Sequence, residues 1–211
     1  MIYKFIGKDF MIHPRRELSD GSRRKAVFFD LDGTLWDDQG PGTLLEVDMK
    51  KLTSREAIIS MSGEWLRIGI SNQTLFCYSK KGAFIKYFKY RKKMRLLLKN
   101  GILDGIFACH HHPNSNVSEL RFDCPNRKPK SGFIEYCLDE LKIDPSKSAL
   151  IGDRITDIIA AESASISNRF LLSSQNSFNQ NSHQLSLRPA YSFHVAHSLK
   201  DALNACDLEV S

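Results

Sequence analysis

Short apolar runs ending in polar or acidic residues alternate along this chain with segments whose apolar positions recur every three or four residues. Ala26-Val-Phe-Phe29 is such a run, of the kind buried on both faces of a parallel sheet. Ile68-Gly-Ile70 leads into Ser71-Asn-Gln-Thr74, Gly105-Ile-Phe-Ala108 reads as a third strand and Ser148-Ala-Leu-Ile151 as a fourth. Helix-like stretches lie between them: 53–66, then 83–99 stopped by Asn100-Gly101, and about 131–142 with an apolar face of Phe133, Ile134, Cys137, Leu138 and Leu141. Another runs through Asp157 to Ala164. Tyr191 to Ala196 reads as a last strand, and Ser198 to Asp201 as a capping box that opens a terminal helix. This alternation predicts an α/β fold, a parallel sheet with helices on both faces. Residues 1–24 read as an N-terminal extension in which Tyr3 to His13 offers an extra strand. Residues 25–211 are the domain proper, with 173–186, rich in Ser, Asn and Gln, a flexible loop.

Composition narrows the class. With 211 residues, 42% of them hydrophobic, the chain suits one ordinary core. No apolar stretch nears the roughly 18 residues a membrane span requires. Met1 to Lys25 lacks the apolar core of a signal peptide, so a cytoplasmic protein without a membrane partner is expected. Five cysteines, an odd number without a secreted-style framework, read as reduced thiols. A net charge of +6 suits an anionic partner, whether phosphorylated metabolite, nucleic acid or acidic surface.

The acidic strand ends carry the chemistry. Asp30 and Asp32 stand two apart after the first strand, so both can project from one side into the crevice at the sheet's carboxyl edge. Gly33 permits a sharp turn there. Phosphoryl transfer needs an in-line nucleophile, charge neutralisation and a proton donor. Such a pair can split these roles, Asp30 forming an aspartyl phosphate and Asp32 protonating the leaving alcohol. Mutual repulsion between the two carboxylates calls for a hard cation. Asp153 and Asp157 supply a second acidic pair after another strand; alone, Asp153 reads equally well as a helix cap.

Lys25-Ala-Val-Phe-Phe-Asp-Leu-Asp-Gly-Thr-Leu35, Ser71, Lys128 and Asp153, in that order, resemble the motifs of the haloacid dehalogenase-like phosphatases. The resemblance implies a Rossmann-like core with a minimal cap. It makes Asp30 the nucleophile, Asp32 the general acid/base, Ser71 the hydrogen-bond donor to the phosphoryl group and Lys128 its neutraliser. Mg2+ is implied at Asp30, Asp32 and Asp153. Finer details resemble the histidinol-phosphatase and heptose-bisphosphate phosphatase branch: Ser71-Asn72-Gln73, Arg127-Lys128-Pro129, and the segment from Gly152 to Ala161. Asn72, Arg127 and Arg154 are then expected at the substrate. In that branch a cysteine-histidine loop precedes the lysine and binds structural zinc, implying Cys109, His111 and Cys124 as ligands. The fourth position is Asn126, a poor zinc ligand, with His110, His112 and Asp123 as candidate replacements. The residues after Gln73 and Leu31 between the two aspartates also depart from the branch pattern, so substrate choice has drifted. Lys80 or Lys81 is a candidate replacement charge.

The expected activity is thus a Mg2+-dependent phosphomonoester phosphatase, most like the heptose-bisphosphate type and acting as a monomer on a small phosphorylated metabolite such as a sugar phosphate. Histidinol phosphatase, a nucleic-acid 3′-phosphatase and a non-catalytic binding module of the same fold are the alternatives. Lys86 to Arg95 interleaves basic residues with Tyr87, Phe88 and Tyr90. Such a pattern binds nucleic acid in some proteins and is more commonly a solvated helix face with its aromatics in the core. Cys77 and Cys137 read as packing residues, and Trp36 as either packing or a lining of the substrate entrance.

Overall fold

The computed structural model describes residues 10–12, 23–36, 52, 55–61, 63–78, 83–173 and 191–206. Its strands are β1 (Phe10–Ile12), β2 (Lys25–Phe29), β3 (Trp65–Asn72), β4 (Gly105–Cys109), β5 (Ala149–Gly152), β6 (Asn168–Leu172) and β7 (His194–Ala196). Among the described residues five α-helices accompany them: α1 (Arg55–Ile59), α2 (Ala83–Lys99), α3 (Gly132–Glu140), α4 (Ile155–Ser163) and α5 (Leu199–Ala205). They build one sheet in the order β1-β4-β3-β2-β5-β6-β7, parallel throughout except for β1, which pairs antiparallel with β4 at the edge.

Parallel strands buried on both faces need apolar residues at every position, and β2 shows how one run serves two cores. Val27 and Phe29 join a cluster with Tyr90, Met94 and Leu97 of α2 and Leu199, Ala202 and Leu203 of α5. Ala26 and Phe28 face the opposite way, against Ile134 and Cys137 of α3 and Ala160 and Ala161 of α4. Helices therefore cover both faces, as the alternation predicts. Cys137 is fully buried, and all five cysteines are free thiols. No helix among the described residues is long and apolar enough to cross a membrane.

Several boundaries differ from expectation. The helix expected over 53–66 is confined to α1, because Gly63 and Glu64 turn the chain and Trp65 already begins β3. Strand β6 was not anticipated; its opening residues Asn168 and Arg169 are polar and only half-buried. Of the extra strand expected within Tyr3 to His13, Phe10–Ile12 is β1, and the rest of that range lies outside the described residues. Ser198 caps α5 as expected, its Oγ accepting from the Asp201 N–H at 3.1 Å. Lys80, Lys81 and all but Ser173 of the Ser/Asn/Gln-rich loop lie outside the described residues.

Candidate active site

The chain leaves β2 for β3 and β4 on one side, then returns to β5 on the other, so the strand order reverses between β2 and β5. In a doubly wound sheet this switch point opens a crevice at the carboxyl ends of the strands. Asp30 follows β2 there and Asp153 follows β5, both buried. The Asp30 N–H still donates to the Ile151 carbonyl at 2.9 Å, which extends the β2–β5 pairing up to the acidic residues.

Lys128 reaches this crevice from a distant loop. Its buried ammonium donates to Asp30 Oδ1 at 2.5 Å, Asp157 Oδ1 at 2.7 Å and the Ile70 carbonyl at 2.8 Å, so all three N–H groups are used. Asn72 fixes the lysine's backbone from β3: its Nδ2 donates to the Lys128 carbonyl at 2.9 Å and its Oδ1 accepts the Lys128 N–H at 3.0 Å. Burial by itself would lower the Lys128 pKa, but Asp157 and then Asp30 reverse this and hold it above the usual ammonium range. Asp157 serves twice, since its Oδ2 also accepts the Arg154 N–H at 3.0 Å as the reciprocal half of a capping box on α4. One carboxylate thus caps a helix and pairs with the buried ammonium.

Carboxylate oxygens of Asp30, Asp153 and Asp157 lie within 4.8 Å of one another. Burial raises Asp30 well above the usual carboxylate range, Lys128 opposing and the two neighbouring aspartates adding to the shift. Asp153 is pushed up to about 6, by burial first and by Asp157 second. The approach depends on two glycines. A Cβ on Gly33, whose φ is +90°, would meet the Asp153 carboxylate, 2.6 Å from its Cγ; one on Gly152 would come equally close to the Asp157 Cγ. Three buried carboxylates against one buried ammonium form an oxygen-only, net-negative donor set that fits a hard divalent cation.

The Asp32 carboxylate is not in this trio. Its Oδ1 accepts from Trp36 Nε1 at 2.7 Å and its Oδ2 from Gln73 Nε2 at 2.5 Å. The Gln73 amide also donates to Ser71 Oγ at 2.9 Å, which leaves the Ser71 hydroxyl hydrogen available for another acceptor. Trp36 is buried in the core cluster and bonded to Asp32, so its packing role comes with a polar contact. Sequence reasoning assigned no part to Gln73. The available signal was its spacing, since residues two apart at a strand end face the same way.

Arg127 and Arg154 sit at the rim. Arg127 donates to the His111 carbonyl at 3.0 Å, and the half-exposed Arg154 lies 3.9 Å from Asp153 Oδ2. The structure brings Cys109, His111 and Cys124 together, with ligand atoms within 4.8 Å of one another. Burial raises the Cys109 thiol to about 12, and the nearby Cys124 adds to this. None of the expected replacements for the fourth ligand joins the cluster. The His110 ring is buried against Phe76 and Tyr90, and burial lowers its pKa to about 3. His112 Nδ1 accepts from the Asn114 N–H, Asp123 pairs with Lys130, and Asn126 Oδ1 abuts Gly132. Two sulfurs and one imidazole suit zinc, with three of four positions supplied. Cys77 is a buried packing thiol that donates to the His110 carbonyl at 3.1 Å.

Comparison with known proteins agrees with this geometry. Residues 125–202 match the profile of the HAD-hydrolase-like family. The D-glycero-beta-D-manno-heptose-1,7-bisphosphate 7-phosphatase of Haemophilus influenzae is 33% identical over 149 residues, 67% of this chain and 78% of that protein. The enzyme of the same name from Pasteurella multocida is 33% identical over 155 residues, 71% of this chain and 82% of its own. A D,D-heptose 1,7-bisphosphate phosphatase structure from B. bronchiseptica, complexed with magnesium and phosphate, superposes with a TM-score of 0.60 at 19% identity, covering 86% of this chain and 97% of that one. With an aspartate pair, a lysine and a second acidic pair converging at the switch point of this sheet, the chain belongs to the haloacid dehalogenase-like phosphatases, magnesium-dependent phosphoric monoester hydrolases.

Proposed function

We propose that this phosphatase removes a phosphate from a small phosphorylated sugar of the heptose bisphosphate class, within a domain spanning 25–211 and in the cytoplasm. Asp30 is assigned as the nucleophile. Lys128 occupies its Oδ1, so Oδ2 attacks phosphorus, the bond from phosphorus to the leaving oxygen breaks, and an aspartyl phosphate forms. Asp32 donates a proton to the leaving alkoxide, then accepts one from the water that attacks phosphorus and restores Asp30. Ser71, its hydroxyl hydrogen unspent on Gln73, donates to the transferring group, and Lys128 offsets the charge that develops on it. Asn72 assists through the backbone of Lys128, while Arg127 and Arg154 face the remainder of the substrate.

Mg2+ would be held by Asp30 and Asp153, with Asp157 beside them. Asp32, also expected at the ion, has its carboxylate taken by Trp36 and Gln73. The ion supplies neutralisation of the phosphoryl oxygens. Zinc is assigned a structural place on Cys109, His111 and Cys124.

The observation that carries this reading is the Lys128 ammonium bound to Asp30 and Asp157 within a relative-rich phosphatase motif set. The test is phosphate release with Mg2+ from a heptose 1,7-bisphosphate, histidinol phosphate and a 3′-phosphorylated oligonucleotide. Preference for the heptose is expected, with activity abolished in Asp30→Asn. Preference for another member of the panel overturns the substrate assignment, and undiminished turnover by Asp30→Asn overturns the nucleophile. Elemental analysis should find about one zinc per chain, lost in Cys124→Ser; zinc-free protein as purified rejects that site.

A further inference from the structure

Helix α2 holds seven of the chain's 30 Lys and Arg and none of its 24 Asp and Glu, which leaves 23 basic residues against 24 acidic ones elsewhere. The positive charge of the whole protein is therefore the charge of one helix. An ordinary solvated face mixes both signs, with i,i+4 pairs between them; this one has no carboxylate at all.

Burial shows how the charge is displayed. Tyr90, Met94, Leu97 and Leu98 are buried and anchor α2 to the sheet. The opposite side carries Ile85, Phe88, Lys89, Lys92, Arg95 and Lys99, all exposed, with Phe88 at 56%. At 100° per residue these fall on one stripe, roughly 21 Å long from residue 85 to 99. No described carboxylate pairs with Lys89, Lys92, Arg95 or Lys99. In the β3–α2–β4 crossover α2 runs opposite to the strands, so its first turns stand at the carboxyl edge of the sheet. The packing of Tyr90 on His110, which follows β4, marks that level. The stripe thus starts on the side of the sheet where Asp30 lies and descends away from it.

A membrane surface is the weaker match. An interfacial helix turns its apolar face to the lipid, whereas the buried Tyr90, Met94, Leu97 and Leu98 of α2 are spent on the core, and among its described side chains only Ile85 and Phe88 are exposed large apolar groups. A row of cations at rises of about 4.5 to 6 Å with an exposed ring at one end matches a polyanionic strand carrying stackable bases. We propose that the exposed stripe of α2 docks single-stranded nucleic acid, with Lys89, Lys92, Arg95 and Lys99 on successive phosphates and Phe88 as a stacking surface.

The test is fluorescence anisotropy of a labelled 20-nucleotide mixed-sequence DNA strand titrated with the full chain at salt concentrations from 50 to 200 mM. Four neutralised phosphates give a slope of about −2.8 in log affinity against log salt, an affinity loss of about 50-fold over this range. The double variant Lys92→Ser/Arg95→Ser should halve the slope and reduce the loss to about 7-fold. Circular dichroism and phosphate release from p-nitrophenyl phosphate serve as controls that the variant is folded. Three results overturn the proposal: no binding at 50 mM salt, a salt slope unaltered in the double variant, or tighter binding to phosphatidylcholine/phosphatidylserine vesicles than to the strand.

Discussion

Replacing Asp157 by asparagine probes the link between packing and chemistry at its most charged point. The side chain keeps its shape, but an amide has one acceptor oxygen where the carboxylate has two. Whichever way it turns, an NH2 group faces a donor: the Lys128 ammonium at the 2.7 Å contact or the Arg154 N–H at the 3.0 Å contact. Both Asp157 and Lys128 are almost fully buried, so water cannot replace the lost acceptor. Removing one partner of a buried ion pair costs about 3–5 kcal/mol when the other is left alone. Lys128 retains Asp30 and the Ile70 carbonyl, which limits the loss to about 2–3 kcal/mol, the range of one hydrogen bond to a charged group. For a chain of this size that corresponds to a fall in Tm of about 4–12 °C.

Function should change beyond stability. Without the Asp157 charge, the ammonium that was shared between two carboxylates belongs to Asp30 alone and competes with the attack on phosphorus. The cation site also loses one of three carboxylates. Assayed at 25 °C, below the unfolding transition, the variant should need about tenfold more Mg2+ for half-maximal activity and turn over about tenfold more slowly. Differential scanning calorimetry and a Mg2+ titration of phosphate release measure the two effects separately. An Asp157→Asn protein that melts within about a degree of the parent, with the same Mg2+ dependence, would refute the argument that this pair supports the site.

Trp36→Phe keeps the packed ring but removes the N–H that holds Asp32 Oδ1, so kcat/KM should fall about tenfold with KM little changed. Unaltered kcat/KM in a folded Trp36→Phe protein rejects the positioning role. Gly33→Ala forces a side chain into a left-handed backbone and onto the Asp153 carboxylate, with an expected loss of about 2 kcal/mol and a tenfold weaker response to Mg2+; normal Mg2+ dependence would contradict the close approach. Because Asp153 holds its proton up to about pH 6 in the folded protein and only to the usual carboxylate range when unfolded, the ion-free protein should lose stability as pH rises through that interval. Mg2+ must displace this proton, so its affinity, followed by thermal shift, should weaken about tenfold per unit below pH 6 and level off above; a flat profile contradicts the assignment.

The sheet was legible where one run of residues had to satisfy two cores. Ala26 to Phe29 and Ala149 to Ile151 are apolar at every position and end in acid, which identifies buried parallel strands and their chemical ends together. Strand β6 was not legible, because it opens on the half-buried Asn168 and Arg169 and its apolar part is only three residues long. The convergence of Asp30, Lys128 and Asp153 was legible through a pattern of motifs, not through distance. What no local pattern contains is the partner of each group. Lys128 finds Asp157 across 29 residues of chain, and Asp32 finds Gln73 across 41, because the crossovers of the sheet carry them to one edge.

The same reasoning explains how the loop from Cys109 to Lys128, with three ligands clustered among the described residues, can still present its lysine. A structural ion matters most where nothing else fixes the chain, and here the position of Lys128 is set by protein contacts. Asn72 holds the lysine's carbonyl and N–H, Arg127 ties back to the His111 carbonyl, and the ammonium ends on two carboxylates and a strand carbonyl. The Gln73 N–H, after β3, donates to the Cys109 carbonyl, and within the loop the His112 N–H donates to the Leu120 carbonyl. Each backbone bond contributes about 1 kcal/mol, and the charged contacts of the ammonium somewhat more. Together these contacts keep the end of the loop that holds Lys128 on the sheet whether or not the three-ligand cluster is filled. Substitution of the fourth ligand position by Asn126 is then tolerable for the lysine, and its effect should fall on the part of the loop around Cys109, His111 and Cys124.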